Sequence, residues 1–150
     1  AGVCAGQYID LKCGAKRIST DTLACIHNHK TADLFVACCG IAAYLSAAVD
    51  KERRALQRFG RYTGLAFQAY DDMLSIKKSA KALGKQTRKD KYSPNLVNLF
   101  GMDKAQAALD LYTKNAQSQL DIFKDNAGPR PCREAGILRG LLRYVVERQN

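Results

Sequence analysis

Proline is scarce and tryptophan absent: three and none in 150 residues. With 47% hydrophobic and 25% charged residues beside them, that shortage excludes a collagen-like fibre and a disordered tail. Strand signals are missing too. No run alternates for long, and no Asn-Gly or Asp-Gly pair marks a hairpin. There is no internal repeat and no low-complexity segment. The six cysteines (Cys4, Cys13, Cys25, Cys38, Cys39 and Cys132) include no CxxC pair and no Cys/His set at zinc spacing. Cys38 and Cys39 adjoin in an apolar stretch and read as small buried hydrophobes, so reduced thiols and a cytoplasmic compartment are expected. The longest uncharged run, Leu34 to Val49, has 16 residues. A membrane span needs ~20, so none is expected. The sequence starts at Ala1 without a basic-then-apolar leader. The expectation is no signal peptide, and a chain processed or cut from something longer. Acidic residues are few: 14 Asp plus Glu against 24 Lys plus Arg, a net charge of +10. That excess suits an anionic partner, whether nucleic acid, a phosphate-bearing metabolite or a membrane surface.

Helix signals fill the space the missing strands leave. The length fits one domain with a real core. Residues 2–11 read as a helix running into a loop at Gly14. Ser19, Thr20 and Asp21 are plausible N-caps for a segment ending near His29, and another covers about 31–47. Asp50 can cap a long helix over about 51–76, with Leu56, Phe59, Thr63, Phe67, Tyr70 and Leu74 at spacings of three and four. Residues 77–101 read mostly as loop, with room for one short helix. Asp103 and Gln106 resemble a capping box opening 103–124, GPRP at 128–131 breaks the chain, and a last helix covers about 132–148. The class is all-α.

The sharpest local feature is the run Phe67-Gln68-Ala69-Tyr70-Asp71-Asp72. On a helix, Gln68, Asp71, Asp72 and Ser75 share one face. Hard oxygen ligands so placed suit Mg²⁺, which takes few carboxylates together with phosphate oxygens and water. An isolated Asp-Asp pair is more often exposed and lysine-paired. Here Phe67, Tyr70 and Leu74 flank it, and Lys77, Lys78, Lys81, Lys85, Arg88, Lys89 and Lys91 follow against only Asp90. Metal-holding carboxylates beside phosphate-holding lysines make a diphosphate site. Alone, the basic loop would read as solvated surface or a nucleic-acid patch. A second candidate is His27-Asn28-His29-Lys30-Thr31. Lys30 supplies a point charge and Thr31 a hydroxyl where a helix is expected to begin, and an anion there would meet free backbone N–H groups. The plainer reading is a capped helix start with a surface lysine. His27 and His29, two apart, diverge on a helix. Gln7 and Asp10 lie one turn apart and read as second-row hydrogen bonders or ordinary surface residues.

These residues resemble a known family. GQYID at 6–10, IHNHKTADLF at 26–35, GLAFQAYDDML at 64–74 and LGK at 83–85 are similar to the C-terminal half of a trans-type polyprenyl diphosphate synthase. PNLVNLFGMDKAQA at 94–107 and RYVVERQ at 143–149 fit the same stretch, with bacterial short-chain farnesyl and geranylgeranyl diphosphate synthases as the nearest kind. The resemblance implies the helical bundle of the isoprenoid synthases, represented by its C-terminal half. It implies a prenyltransferase that joins an allylic diphosphate to isopentenyl diphosphate in isoprenoid biosynthesis, with Mg²⁺ as cofactor. By it, Asp71 leads the second aspartate-rich motif and binds Mg²⁺, while Asp72 supports that ion, mainly through water. Lys30 and Lys85 hold the allylic diphosphate, and Thr31 and Gln68 line the same site.

The departures set further expectations. The family's DDxxD ends here in Ser75, and charged Asp33 follows the KTA. No second aspartate cluster stands in for the family's first motif. The chain is therefore expected to be insufficient for catalysis alone, to expose apolar helix faces, and to associate as a homodimer or with the missing half. A non-catalytic partner subunit of a prenyl synthase is the first alternative. A basic helical nucleic-acid-binding module is the second, disfavoured because carboxylates at the site repel phosphate unless a metal intervenes.

Overall fold

A computed structural model describes residues 2–14, 18–83, 94–123 and 133–147, and every element among them is helical. Ser19 opens the second helix as expected, its hydroxyl accepting from Thr22 N at 3.1 Å. In chain order the elements are α1 (Val3–Cys13), α2 (Thr20–Ile26), a π-helical turn (His27–Ala32), α3 (Asp33–Leu45), α4 (Asp50–Leu83), α5 (Leu96–Phe100), α6 (Met102–Gln119), a short 3₁₀ turn (Asp121–Phe123) and α7 (Arg133–Glu147). The all-α class read from the sequence holds, and the helices among the described residues differ from the expected ones in four details.

The long helix does not stop near residue 76. It continues to Leu83, because residues 77–83 are good helix formers and no glycine or proline intervenes before Gly84. Its first residue is Asp50 itself, with Val49 as the cap: Val49 O accepts from Arg53 N at 2.9 Å, and Glu52 reaches back to Val49 N at 3.2 Å. The capping box expected at Asp103 does not form. Gly101, at φ 87, caps the helix two residues earlier, so Asp103 sits inside the first turn and Gln106 bonds forward to Asp110. No helix begins at Thr31 either. The chain passes from α2 to α3 through the π turn without a break, and Asp33 N bonds Asn28 O five residues back. The GPRP break at 128–131 lies outside the described residues.

α4 is the hub, with α3 and the π turn on one side and α6 on the other. One core cluster joins Leu23 of α2, Ala66, Ala69 and Met73 of α4, Leu96 of α5, and Ala105 and Leu109 of α6. The other joins Phe59, Ala116, Leu120 and Leu142. Of the stripe read from the sequence, Phe59 and Thr63 are buried and Leu56, Phe67, Tyr70 and Leu74 half-buried, while Ala66 and Ala69 let α6 pack close. Glycines serve the α3 side. A Cβ on Gly60 would stand 2.6 Å from Phe35 O, and one on Gly64 2.7 Å from Ala32 Cα.

Opposite α4, the outer stripe of α3 is left uncovered. Leu34, Ile41 and Leu45 are 55–79% exposed there, and Ile137, Leu141 and Tyr144 form a similar stripe on α7. None of the described helices is long and apolar enough to cross a membrane. Cys4, Cys13, Cys25, Cys38 and Cys39 are free thiols, but of the adjacent pair expected to be buried Cys38 is exposed and Cys39 half-buried, because α3 packs by one side only. Burial between α3 and α4 pushes the Cys39 thiol up, with Cys38 beside it adding to the shift. Iodoacetamide at about pH 8 is therefore expected to modify exposed Cys4 and Cys38 ahead of Cys39, read by peptide mass spectrometry. Cys39 reacting first would contradict this packing of α3.

Candidate functional site

The π turn widens the helix by one residue and lays Lys30 and Thr31 where three elements meet. α1 crosses it in backbone contact. A Cβ on Gly6, the one buried residue of α1, would lie 2.1 Å from Lys30 N. That closeness brings Asp10, one turn on from Gly6, to Lys30, whose Nζ donates to Asp10 Oδ2 at 2.5 Å. On the other side the Thr31 hydroxyl donates to Gln68 Oε1 of α4 at 2.6 Å.

Gln68 carries the contact onward along α4. Its Nε2 donates to Asp72 Oδ1 at 2.8 Å. The other oxygen of Asp72 accepts the backbone N–H of Leu96, at the start of α5, at 2.8 Å. His27 lies across from it, with Nε2 3.3 Å from Asp72 Oδ2, inside ion-pair distance but without hydrogen-bond alignment. Asp72 and His27 are only 4% and 5% exposed. Asp71, three residues on from Gln68, is half-buried. The Ser75 hydroxyl turns back to Asp72 O at 2.9 Å on its own helix.

Thr31, Gln68 and Asp72 thus form one hydrogen-bonded chain, with Lys30 next to Thr31 on the π turn and Asp71 next to Asp72 on α4. Lys85 lies outside the described residues, as do Arg88, Lys89 and Lys91, while Lys77 and Lys78 are exposed on α4. Because the helix runs unbroken through residue 31, the anion-binding helix N-terminus expected there is absent: Lys30 offers a side-chain charge, not the end of a helix dipole. The two histidines diverge as their spacing implies, His27 inward to Asp72 and His29 outward to Asp33 at 2.8 Å.

Two residues read without a definite role take one here. His27, part of the second candidate run, lies four residues before Thr31 and so shares one side of the helix with it. Asp10, read with Gln7 as a second-row hydrogen bonder or an ordinary surface residue, bonds Lys30, 20 residues away. The Thr31–Gln68 bond is open to test. Thr31→Val keeps the shape and strands Gln68 Oε1, so a loss of about 1 kcal/mol is expected. In a chain of this size that lowers the melting temperature by ~2–4 °C. Thr31→Ser restores most of it, and equal melting of all three proteins would remove the bond from the account.

The polyprenyl synthetase family model matches residues 1–125. Among curated relatives, geranylgeranyl pyrophosphate synthase 7, chloroplastic, from Arabidopsis thaliana is 35% identical over 99% of this chain and 42% of its own length. The geranylgeranyl pyrophosphate synthase, chloroplastic, of Capsicum annuum is 36% identical over 99% of this chain and 39% of its own. Among solved structures, a geranyltransferase from Helicobacter pylori in complex with magnesium and isoprenyl diphosphate has a TM-score of 0.70 at 27% identity, covering 97% of this chain and 46% of that one. An apo FPP/GFPP synthase from Zymomonas mobilis has a TM-score of 0.75 at 27% identity, covering 97% and 45%. The chain spans about two fifths of the length of the curated relatives it matches.

Proposed function

The chain belongs to the polyprenyl synthetase family, and on that premise we propose that it forms the diphosphate-binding, C-terminal part of a prenyltransferase. The reaction joins an allylic diphosphate to isopentenyl diphosphate in isoprenoid biosynthesis. The observation that carries this reading is the joint between the π turn and α4. The Thr31–Gln68 bond ties the residue next to Lys30 to α4, and Asp71 follows Gln68 by three positions, about one turn, on that helix. A cation and a carboxylate so placed suit a metal-bridged diphosphate better than either suits an exposed surface.

The donor set fits magnesium. No group of three or more His, Cys, Asp or Glu among the described residues forms a closed cage, and magnesium commonly takes one or two carboxylates plus substrate phosphate and water. Asp71 supplies the carboxylate, with Asp72 behind it. With magnesium bound, the chemistry supplied is neutralisation of charge on the departing diphosphate. Lys30 adds a fixed positive charge on the same oxygens, and Lys85 fills the parallel role in this reading. Thr31 and Gln68 line the site and hold its two walls together. Phe35 and Phe67, with ring centroids 5.7 Å apart, support exclusion of water beside it. In this reading the diphosphate substrates meet the net charge of +10, without recourse to nucleic acid.

A second reading keeps the same site in a chain that modulates or completes a larger synthase. One relative is named a heterodimeric large subunit, and that favours it. Both readings predict magnesium-dependent binding of inorganic pyrophosphate by calorimetry. Binding that ignores magnesium would remove them together. Condensation by the purified chain alone would overturn its insufficiency, whereas condensation only with a longer homologue added supports association. The cytoplasmic compartment belongs to the same proposal. Plant relatives bear chloroplastic and mitochondrial names, so cell fractionation decides it.

A further inference from the structure

We propose that Asp72 is the positioning residue of this site, fixing Gln68 and the first turn of α5, and is not a ligand of magnesium. The functional meaning of this assignment rests on the diphosphate-site reading, while its geometric half stands without it.

Adjacent acids on a helix point about 100° apart, and the structure gives these two different surroundings. Asp71 is half-buried. Asp72 is buried, and both of its oxygens are taken. Oδ1 accepts from Gln68 Nε2 at 2.8 Å, and Oδ2 accepts from Leu96 N at 2.8 Å while His27 Nε2 stands 3.3 Å away. Leu96 is the first residue of α5, so its N–H has no acceptor within that helix. Asn95 does not serve it, because that side chain accepts from Asn98 N at 2.7 Å. A turn of the Asp72 carboxylate toward a metal would strand a buried backbone donor and a half-buried amide together.

The carboxylate also settles which way Gln68 faces. With Nε2 donated to Asp72, Oε1 is left for the Thr31 hydroxyl. His27 and Thr31 are four apart on the π turn, and Gln68 and Asp72 four apart on α4. They form two rungs between the same two elements. Asp72 thereby joins the π turn, α4 and α5, and acts on the diphosphate through Gln68 and Thr31.

The test uses the 150-residue chain, isotope-labelled, with magnesium and inorganic pyrophosphate as the probe. A through-hydrogen-bond coupling between Leu96 ¹⁵N and Asp72 ¹³Cγ is expected in the unaltered protein, and it should persist when both probes are added. Its loss on their addition would show the carboxylate leaving α5 for the metal and would overturn the proposal. Asp72→Ala should speed Leu96 amide exchange at least tenfold. It should lower pyrophosphate affinity while keeping the ratio of affinities with and without magnesium within about twofold. Collapse of that ratio with Leu96 protection unchanged would also overturn it. Should Asp72→Ala fail to fold, the coupling in the unaltered chain decides. Should the unaltered chain show no magnesium-dependent binding, the diphosphate reading fails. The coupling then still decides whether Asp72 holds α5.

Discussion

Asp71→Asn is expected to weaken magnesium-dependent binding of inorganic pyrophosphate about a hundredfold, equivalent to ~3 kcal/mol, while the helical circular dichroism stays as it was. The amide keeps the shape of the carboxylate and removes its charge, so the helix is not disturbed. The loss is large because no neighbour on α4 can stand in. Asp72 has both oxygens committed to Gln68 and Leu96. Ser75, where the family motif carries its last aspartate, has its hydroxyl folded back on Asp72 O. Asp71 is left to contribute the charge that a hard cation needs on this face. Calorimetry with magnesium replaced by sodium is the control. There the variant and the unaltered chain should bind with nearly equal, weaker affinity, since Lys30 is untouched. A variant that binds as tightly as the original with magnesium present would remove Asp71 from the metal site.

Periodicity alone made most of the fold legible. Apolar positions three and four apart marked α4, and cap residues such as Ser19 marked helix starts, because both depend on local geometry that the sequence states directly. The π turn was not legible. One inserted residue in a helix leaves no distinctive composition, and Lys30-Thr31 therefore read as the beginning of a helix. The site divided along the same line. Asp71, Asp72 and Gln68 were found as one face because they lie on one helix. The resemblance to the family brought Lys30 and Thr31 to them. What neither could supply was the direction of each oxygen. Twin acids look equivalent as letters, and only the packing of α5 against α4 makes one of them buried. Asp10 and His27 were weak as letters for the same reason: their partners lie 20 and 45 residues away.

The heaviest stability loss is expected from the smallest substitution, Gly6→Ala. The added Cβ would stand 2.1 Å from Lys30 N, 2.6 Å from His29 C and 2.7 Å from Lys30 Cα. All three are backbone atoms, so no rotamer change relieves the overlap, and α1 must move away from the π turn. Forced overpacking of this kind costs about 3 kcal/mol at the upper end of its usual range. For a chain of this length that lowers the melting temperature by ~6–12 °C. The overlap also displaces the backbone of His29 and Lys30 itself, so weaker pyrophosphate binding is expected even at temperatures where the chain stays folded. Gly136→Ala supplies the contrast. That glycine is on α7, and its Cβ would meet nothing within 4 Å. There the same methyl group only removes the entropic penalty of a helical glycine, so a gain of about 0.5–1 kcal/mol is expected. Opposite signs from one chemical change would tie the loss at Gly6 to the helix crossing itself. Equal small effects would mean that α1 does not press on Lys30 in solution.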